Sequence, residues 1–276
     1  MARLWGRLYV PSVHLADGIV TSPGWLIGVN TAGGAAAVLV GRHLRDGGER
    51  GLAFTGTLAA FVLAAQAINV PLVPGASAHV IGAGLLTLAV GPARAVLALV
   101  AVLVVQALLL ADGGITALGI NVLNIAVLPV LAVHGVHRLL GPGRLGLSAV
   151  LGTLLGNVLS AVSLAFTLVA ATGVPAGLAF GWLVGIQALA GCVEGVLTAL
   201  ALGHLVKLAP GLLAATRPSA SALPPLLEGP SVPVRSRRMG FVWAALAVGI
   251  ACALLPLATE TPDALGRVVE HARPSP

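Results

Sequence analysis

Charge is nearly missing from this 276-residue chain. Only 9% of its residues are Asp, Glu, Lys or Arg, against 58% hydrophobic ones. A soluble domain carries about a quarter of its residues charged, so a soluble globular fold is excluded. Lysine occurs once, as Lys207 in HLVKLAPG, without the glycines that would cradle a phosphate. No Walker A loop exists, and ATP hydrolysis by this chain is excluded. Aromatics make up 4% of the chain, and the alternation of a membrane-spanning barrel is absent. The two cysteines, Cys192 and Cys252, each lie inside an apolar run and read as small buried thiols without chemistry.

What the chain does have is length of hydrophobic sequence and small residues. Its mean hydropathy is +1.02, and its 36 glycines let helices approach closely in lipid. The pattern predicts an all-α integral membrane protein, with apolar runs at 23–41, 52–68, 78–91, 95–111, 116–136, 145–171, 177–206 and 240–257. That is a seven-helix bundle plus one C-terminal transmembrane helix. The third run is short and the seventh is long.

The net charge of +6 does not point to nucleic acid, because the basic residues fall in short gaps between apolar runs. With the N-terminus outside, the inner gaps hold Arg42, Arg45, Arg50, Arg94, Arg138, Arg144, Lys207, Arg217, Arg235, Arg237 and Arg238. Only Arg3, Arg7, Arg267 and Arg273 stay outside, which is the asymmetry of the positive-inside rule. Both termini are therefore expected outside a cell membrane. Residues 209–238 are rich in proline and serine and read as a cytoplasmic linker, leaving 239–276 as a separate helix and polar outer tail.

Ionisable groups are costly in lipid, so each one near a span is a candidate. His14, in VHLADGIVTSPGW, and His79, in VPGASAHVIG, fall at the same outer depth and could form a metal or proton site. Asp17 and Asp112 lie on that side, each before a glycine, as turn or cap residues or as partners that orient a ligand imidazole. His134 and His137 share one helical face near Arg138 at the inner boundary, without the glutamate of a zinc hydrolase. Glu194, in GCVEGVLTAL, is the carboxylate deep in a span, and a packing or coupling role is expected of it. The amides Gln66, Asn69, Gln106, Asn121, Asn124, Asn157 and Gln187 suit hydrogen bonds between helices. Ser148, Gly152, Gly156 and Ser160 repeat every four positions as a smooth ridge for a close helix, internal or from another subunit.

Four ordered stretches, HLADGIVTSPGW, QAINVPLVPGASAHVIG, DGGITALGINVLN and GCVEGVLTAL, resemble the hallmarks of the CbiM/NikM family. These are the substrate-capture subunits of energy-coupling-factor transporters for cobalt and nickel. The likeness covers about residues 13–208, and residues 240–267, ending ATETPDALGRVVEHA, look like the start of the companion subunit CbiN/NikN, cut short. The resemblance implies a transporter subunit rather than an enzyme, with Co(II) or Ni(II) as transported substrate and no organic cofactor. Its implied partners are a CbiQ/NikQ-like transmembrane coupling subunit, CbiO/NikO-like ATPases, a CbiN/NikN-like small subunit and membrane lipid of a bacterial or archaeal cell.

In that family the metal is held by the N-terminal amine, by the backbone nitrogen and imidazole of a histidine at position two, and by a second histidine from a loop entering a later helix. Such a square nitrogen set suits Ni(II), Cu(II) or Co(II), not Mg or Ca. Carried over, His14 and His79 become ligands, backed by Asp17, Asp112 and Asn69. Here MARLWGRLYVPS precedes Val13, so residues 1–12 are expected to be an untranslated extension, with Val13 read as an initiating methionine that supplies the amine. The rival reading is a membrane metalloenzyme built from His134, His137 and Glu194.

Overall fold

Proline marks where several of the helices begin, since its missing N–H is no loss in a first helical turn. The computed structural model describes residues 14–43, 48–68, 70–73, 76–110, 112–208 and 213. Val13 and the extension before it, Asn69, all of the linker but Leu213, and the C-terminal unit over 239–276 lie outside the described residues. In chain order, α1 (Pro23–Gly41) and α2 (Gly48–Gln66) are followed by a small hairpin, β1 (Val70–Val73) and β2 (Ala76–Ala78). The strands pair antiparallel, Val70 with Ala78 and Val73 with Ala76, with an irregularity between Pro71 and Val73. Next come α3 (Ala83–Val90) and α4 (Pro92–Val105), which runs on into a π-helical turn at Gln106–Leu110. Then α5 (Leu118–Asn121) continues through a π-helical stretch, Val122–Val127, into α6 (Leu128–Leu140) as one rod. Two long helices, α7 (Leu145–Thr172) and α8 (Ala176–Leu208), complete the described body.

Five helices among the described residues are long and apolar enough to cross a bilayer: Pro23–Gly41, Pro92–Leu110, Leu118–Leu140, Pro142–Thr172 and Ala176–Lys207. The expected bundle of seven spans is therefore only partly met. The second run gives a shorter apolar helix, Gly51–Gln66. The third differs most from expectation. A helix over 78–91 was predicted, but β2 ends at Ala78 and α3 has eight residues, about 12 Å of rise against a hydrocarbon core of about 30 Å. All eight of its residues are buried, so α3 is an interior helix rather than a span.

Two apolar clusters fill the interior. One joins α2, α3, α4 and α6 through Val62, Leu86, Leu99, Val130 and Val133, with Leu202 of α8. The other packs Leu15, Val20, Ala78 and Ile120 against Leu164, Leu168, Leu183 and Ile186 of α7 and α8. The small-residue ridge of α7 faces inward. A Cβ on Gly152 would come 3.0 Å from Val133 Cα, and one on Gly156 3.0 Å from Pro129 Cα, so its partner is α6 of the same chain. Ser160 Oγ donates to the Asn124 carbonyl at the same seam. On its other side α7 exposes Leu147, Leu151, Leu155 and Leu159, the face a lipid environment would cover.

Candidate metal centre

Three loops meet at one end of the body, and each is pinned by side chains rather than by a regular backbone ladder. The first, running from His14 into α1, is tied at Leu15. The Leu15 N–H donates to Asn121 Oδ1 at 2.8 Å, while Asn121 Nδ2 and the Gly114 N–H donate to the Leu15 carbonyl at 3.0 and 2.8 Å. Two residues later in the same loop pair, Asp17 accepts from the amides of Ile115 and Thr116 at 3.1 and 2.8 Å. Slight burial alone would raise the Asp17 carboxyl, but the bonds from Thr116 and Ile115 outweigh it and hold its pKa below the ordinary value. Asn30 of α1 fastens the same loop from the other side, donating to the Thr116 carbonyl at 2.6 Å and accepting from Gly119 N at 2.6 Å.

His14 and His79 are both buried, at 1% and 2% exposure, and their ring centroids lie 5.1 Å apart in an edge-on arrangement. They are 65 positions apart in the chain. Asp112 Oδ1 stands 3.2 Å from His14 Nδ1. Gly113 follows with φ +90, and a Cβ there would sit 3.3 Å from His14 Cβ, so this turn is built for glycine. His79 Nδ1 lies 3.0 Å from the Val80 carbonyl, which makes Nδ1 the protonated nitrogen and Nε2 the atom able to ligate. Burial, and then the adjacent His14 imidazole, push His79 down to about 4, with Asp112 and the Val80 carbonyl acting the other way. A neutral imidazole at physiological pH is the form a transition metal binds.

The loop carrying His79 is held from behind. Glu194 of α8 accepts from Ile81 N at 2.9 Å and Gly82 N at 2.7 Å, and Asn157 Nδ2 of α7 reaches Glu194 at 3.2 Å. Gln66 of α2 donates to the Ile81 carbonyl at 2.7 Å and accepts at 2.9 Å from Nε2 of Gln106, at the π-helical turn after α4. Gly82 has φ +80, and a Cβ there would lie 2.5 Å from Val62 Cγ1. That backbone turn, rather than helix, occupies residues 79–82.

Of the sequence candidates, the structure brings His14, His79 and Asp112 together and sets Asp17 beside them as a clamp on the Ile115–Thr116 amides. It does not unite the rival set. His137 Nδ1 lies 3.1 Å from Ser148 Oγ, His134 is half-buried on the same helix, and Glu194 faces Ile81 and Gly82 instead. Among the described residues, no group of three or more His, Cys, Asp or Glu side chains forms a metal site by itself. Protein side chains thus supply two imidazoles here, and further nitrogens would have to come from the backbone. Sequence reasoning missed Asn121 and Asn30 as loop anchors. Their signal was an amide inside an apolar segment, which general helix contacts also explain.

The family model described as CbiM, cobalt uptake substrate-specific transmembrane region, matches residues 14–212. A protein named as a fused nickel transport protein, NikMN, of Archaeoglobus fulgidus is 33% identical over 172 residues, 60% of this chain and 57% of that one. The cobalt transport protein CbiM of Thermosediminibacter oceani is 36% identical over 162 residues, 54% of this chain and 65% of that one. The match thus spans less than two thirds of either relative. A crystal structure of a truncated transition metal transporter superposes with a TM-score of 0.64 at 28% identity, covering 71% of this chain and 99% of that one.

Proposed function

From the premise that this chain belongs to the CbiM family of cobalt-uptake substrate-specific transmembrane proteins, we propose that it is the metal-capturing membrane subunit of an energy-coupling-factor importer for Co(II) or Ni(II). The observation that carries this reading is the buried pairing of His14 and His79, 5.1 Å between ring centroids, on loops gathered at one end of a membrane-spanning body. Imidazoles select borderline transition metals over hard cations. Were the chain to start at Val13, the ligand set would gain two further nitrogens, the amine of residue 13 and the amide nitrogen of His14. Asp112 stands at the edge of this set, beside His14 Nδ1. The site faces outward by the distribution of basic residues. ATP-driven uptake comes from partners, a CbiQ/NikQ-like coupling subunit and CbiO/NikO-like ATPases, alongside residues 239–276, which resemble the start of a CbiN/NikN-like companion.

The test is a titration of Ni(II) and of Co(II) into purified full-length protein, accompanied by intact mass and N-terminal sequencing of the chain expressed from its own gene. Stoichiometric binding that disappears in His14→Ala and in His79→Ala supports the site. Unchanged affinity in both variants overturns it. A chain that retains residues 1–12 removes the amine from the ligand set.

A further inference from the structure

Glu194 lies deep in α8, 3% exposed, and its hydrogen bonds lead directly to the His79 loop. Its two oxygens take two successive backbone amides, Oε2 from Ile81 and Oε1 from Gly82. A hydroxyl would accept one such bond at far lower desolvation cost. A carboxylate is planar with two acceptors and so fixes both the position and the tilt of the peptide that it holds. Burying it carries a large desolvation cost unless its lone pairs are met, and the two amides together with Asn157 Nδ2 meet them.

The peptide that Glu194 holds has little regular pairing of its own. The Ile81 N–H goes to Glu194 and its carbonyl to Gln66, so both polar groups of this residue are satisfied by side chains of α8 and α2. Gln66 is in turn held by Gln106 at the π-helical turn after α4. The conformation of residues 79–82 is therefore set by groups from four helices. His79 lies two residues before the clamped amide. The His79 ring itself meets the carbonyl of its neighbour Val80 and, edge-on, the His14 imidazole.

We propose that Glu194 is the positioning residue of the metal site, aiming His79 by clamping the Ile81–Gly82 amides and tying that ligand to the long helices α7 and α8. This rests on the reading of His79 as a ligand. Any shift of α8 along α7 moves the clamp, and with it the imidazole. Metal occupancy and the arrangement of the two longest helices are thereby coupled.

The experiment measures Ni(II) affinity by calorimetry and the visible absorption of bound Ni(II) in full-length wild type, Glu194→Gln, Glu194→Asp and His79→Ala, with helical circular dichroism as the fold check. Glutamine offers one acceptor and turns an amide donor toward a backbone N–H. A Kd raised about tenfold or more, with a displaced visible band and unchanged helix content, is expected, as for groups that orient metal ligands. Aspartate, which keeps both oxygens, should recover part of the affinity. Should Glu194→Gln fail to fold, Asn157→Ala, which removes the 3.2 Å contact to Glu194 along with a bond to the Thr153 carbonyl within α7, decides in its place through a smaller shift in the same direction. Wild-type Kd and band in Glu194→Gln, or in Asn157→Ala in its stead, with binding lost in His79→Ala, overturn the positioning role and leave the metal site standing. Wild-type binding in His79→Ala overturns both.

Discussion

Two pairs of histidines in this chain invite comparison. His134 and His137 lie three residues apart on α6, while His14 and His79 are 65 residues apart and come from loops before α1 and before α3. Proximity in sequence favours the first pair, yet that pair stays half-buried at the helix end with one ring set against Ser148. The second pair is enclosed, ring against ring, with a carboxylate at 3.2 Å from one of them. A helical turn aligns two side chains but supplies no third or fourth direction from which to close around an ion. Loops from separate helices converge and can.

The comparison breaks most visibly by truncating each pair in turn. His14→Ala or His79→Ala should weaken Ni(II) and Co(II) binding by more than about 100-fold, above what loss of a supporting group costs. His134→Ala with His137→Ala should leave both isotherms unchanged. Asn121→Leu should come next. It strands the buried N–H and carbonyl of Leu15, whose partners lie at 2.8 and 3.0 Å. A loss of about 2–4 kcal/mol follows from two unmet buried polar groups, less what Gly114 retains. Thermal unfolding in detergent reads this loss, and metal affinity should fall with it because His14 is the adjacent residue.

Asp17 gives a smaller effect, in pH. Its folded pKa lies below its ordinary value, so its contribution is fully present above that value and is lost as pH falls through the lowered one. Melting temperature should decline below about pH 4, and Asp17→Asn should flatten that limb while costing under about 1 kcal/mol at neutral pH, since the group is solvent-screened. The smallest effect belongs to His137→Ala. Loss of its contact with Ser148 should lower stability by no more than about 1 kcal/mol in the same unfolding assay.

Much of this was legible residue by residue. The apolar runs at 23–41, 145–171 and 177–206 coincide closely with α1, α7 and α8, because hydropathy over about 20 residues reports the solvent that a helix requires. His14, His79, Asp17, Asp112 and Glu194 were all readable as candidates, since ionisable groups in so apolar a chain are few. The third run misled for a physical reason. Residues 78–82 are apolar enough to continue a helix, but the amides of Ile81 and Gly82 are taken by Glu194, 113 and 112 positions away. No local pattern can encode that competition. Asn121 was visible only as one amide among seven, and its selection of Leu15, 106 positions back, belongs to packing.

The sequence alone determined the solvent and the materials. A chain with 9% charged and 58% hydrophobic residues, without the alternation of a barrel, must live in lipid as helices, which satisfy their own backbone there. Glycine and serine at four-residue spacing on α7 ensured a close neighbour. Which helix became that neighbour, which of the described histidines met ring to ring, and what the buried carboxylate holds were decided by tertiary structure. Those outcomes depend on several helices arriving at one place together, and contact energies between distant segments exist only once the bundle has formed.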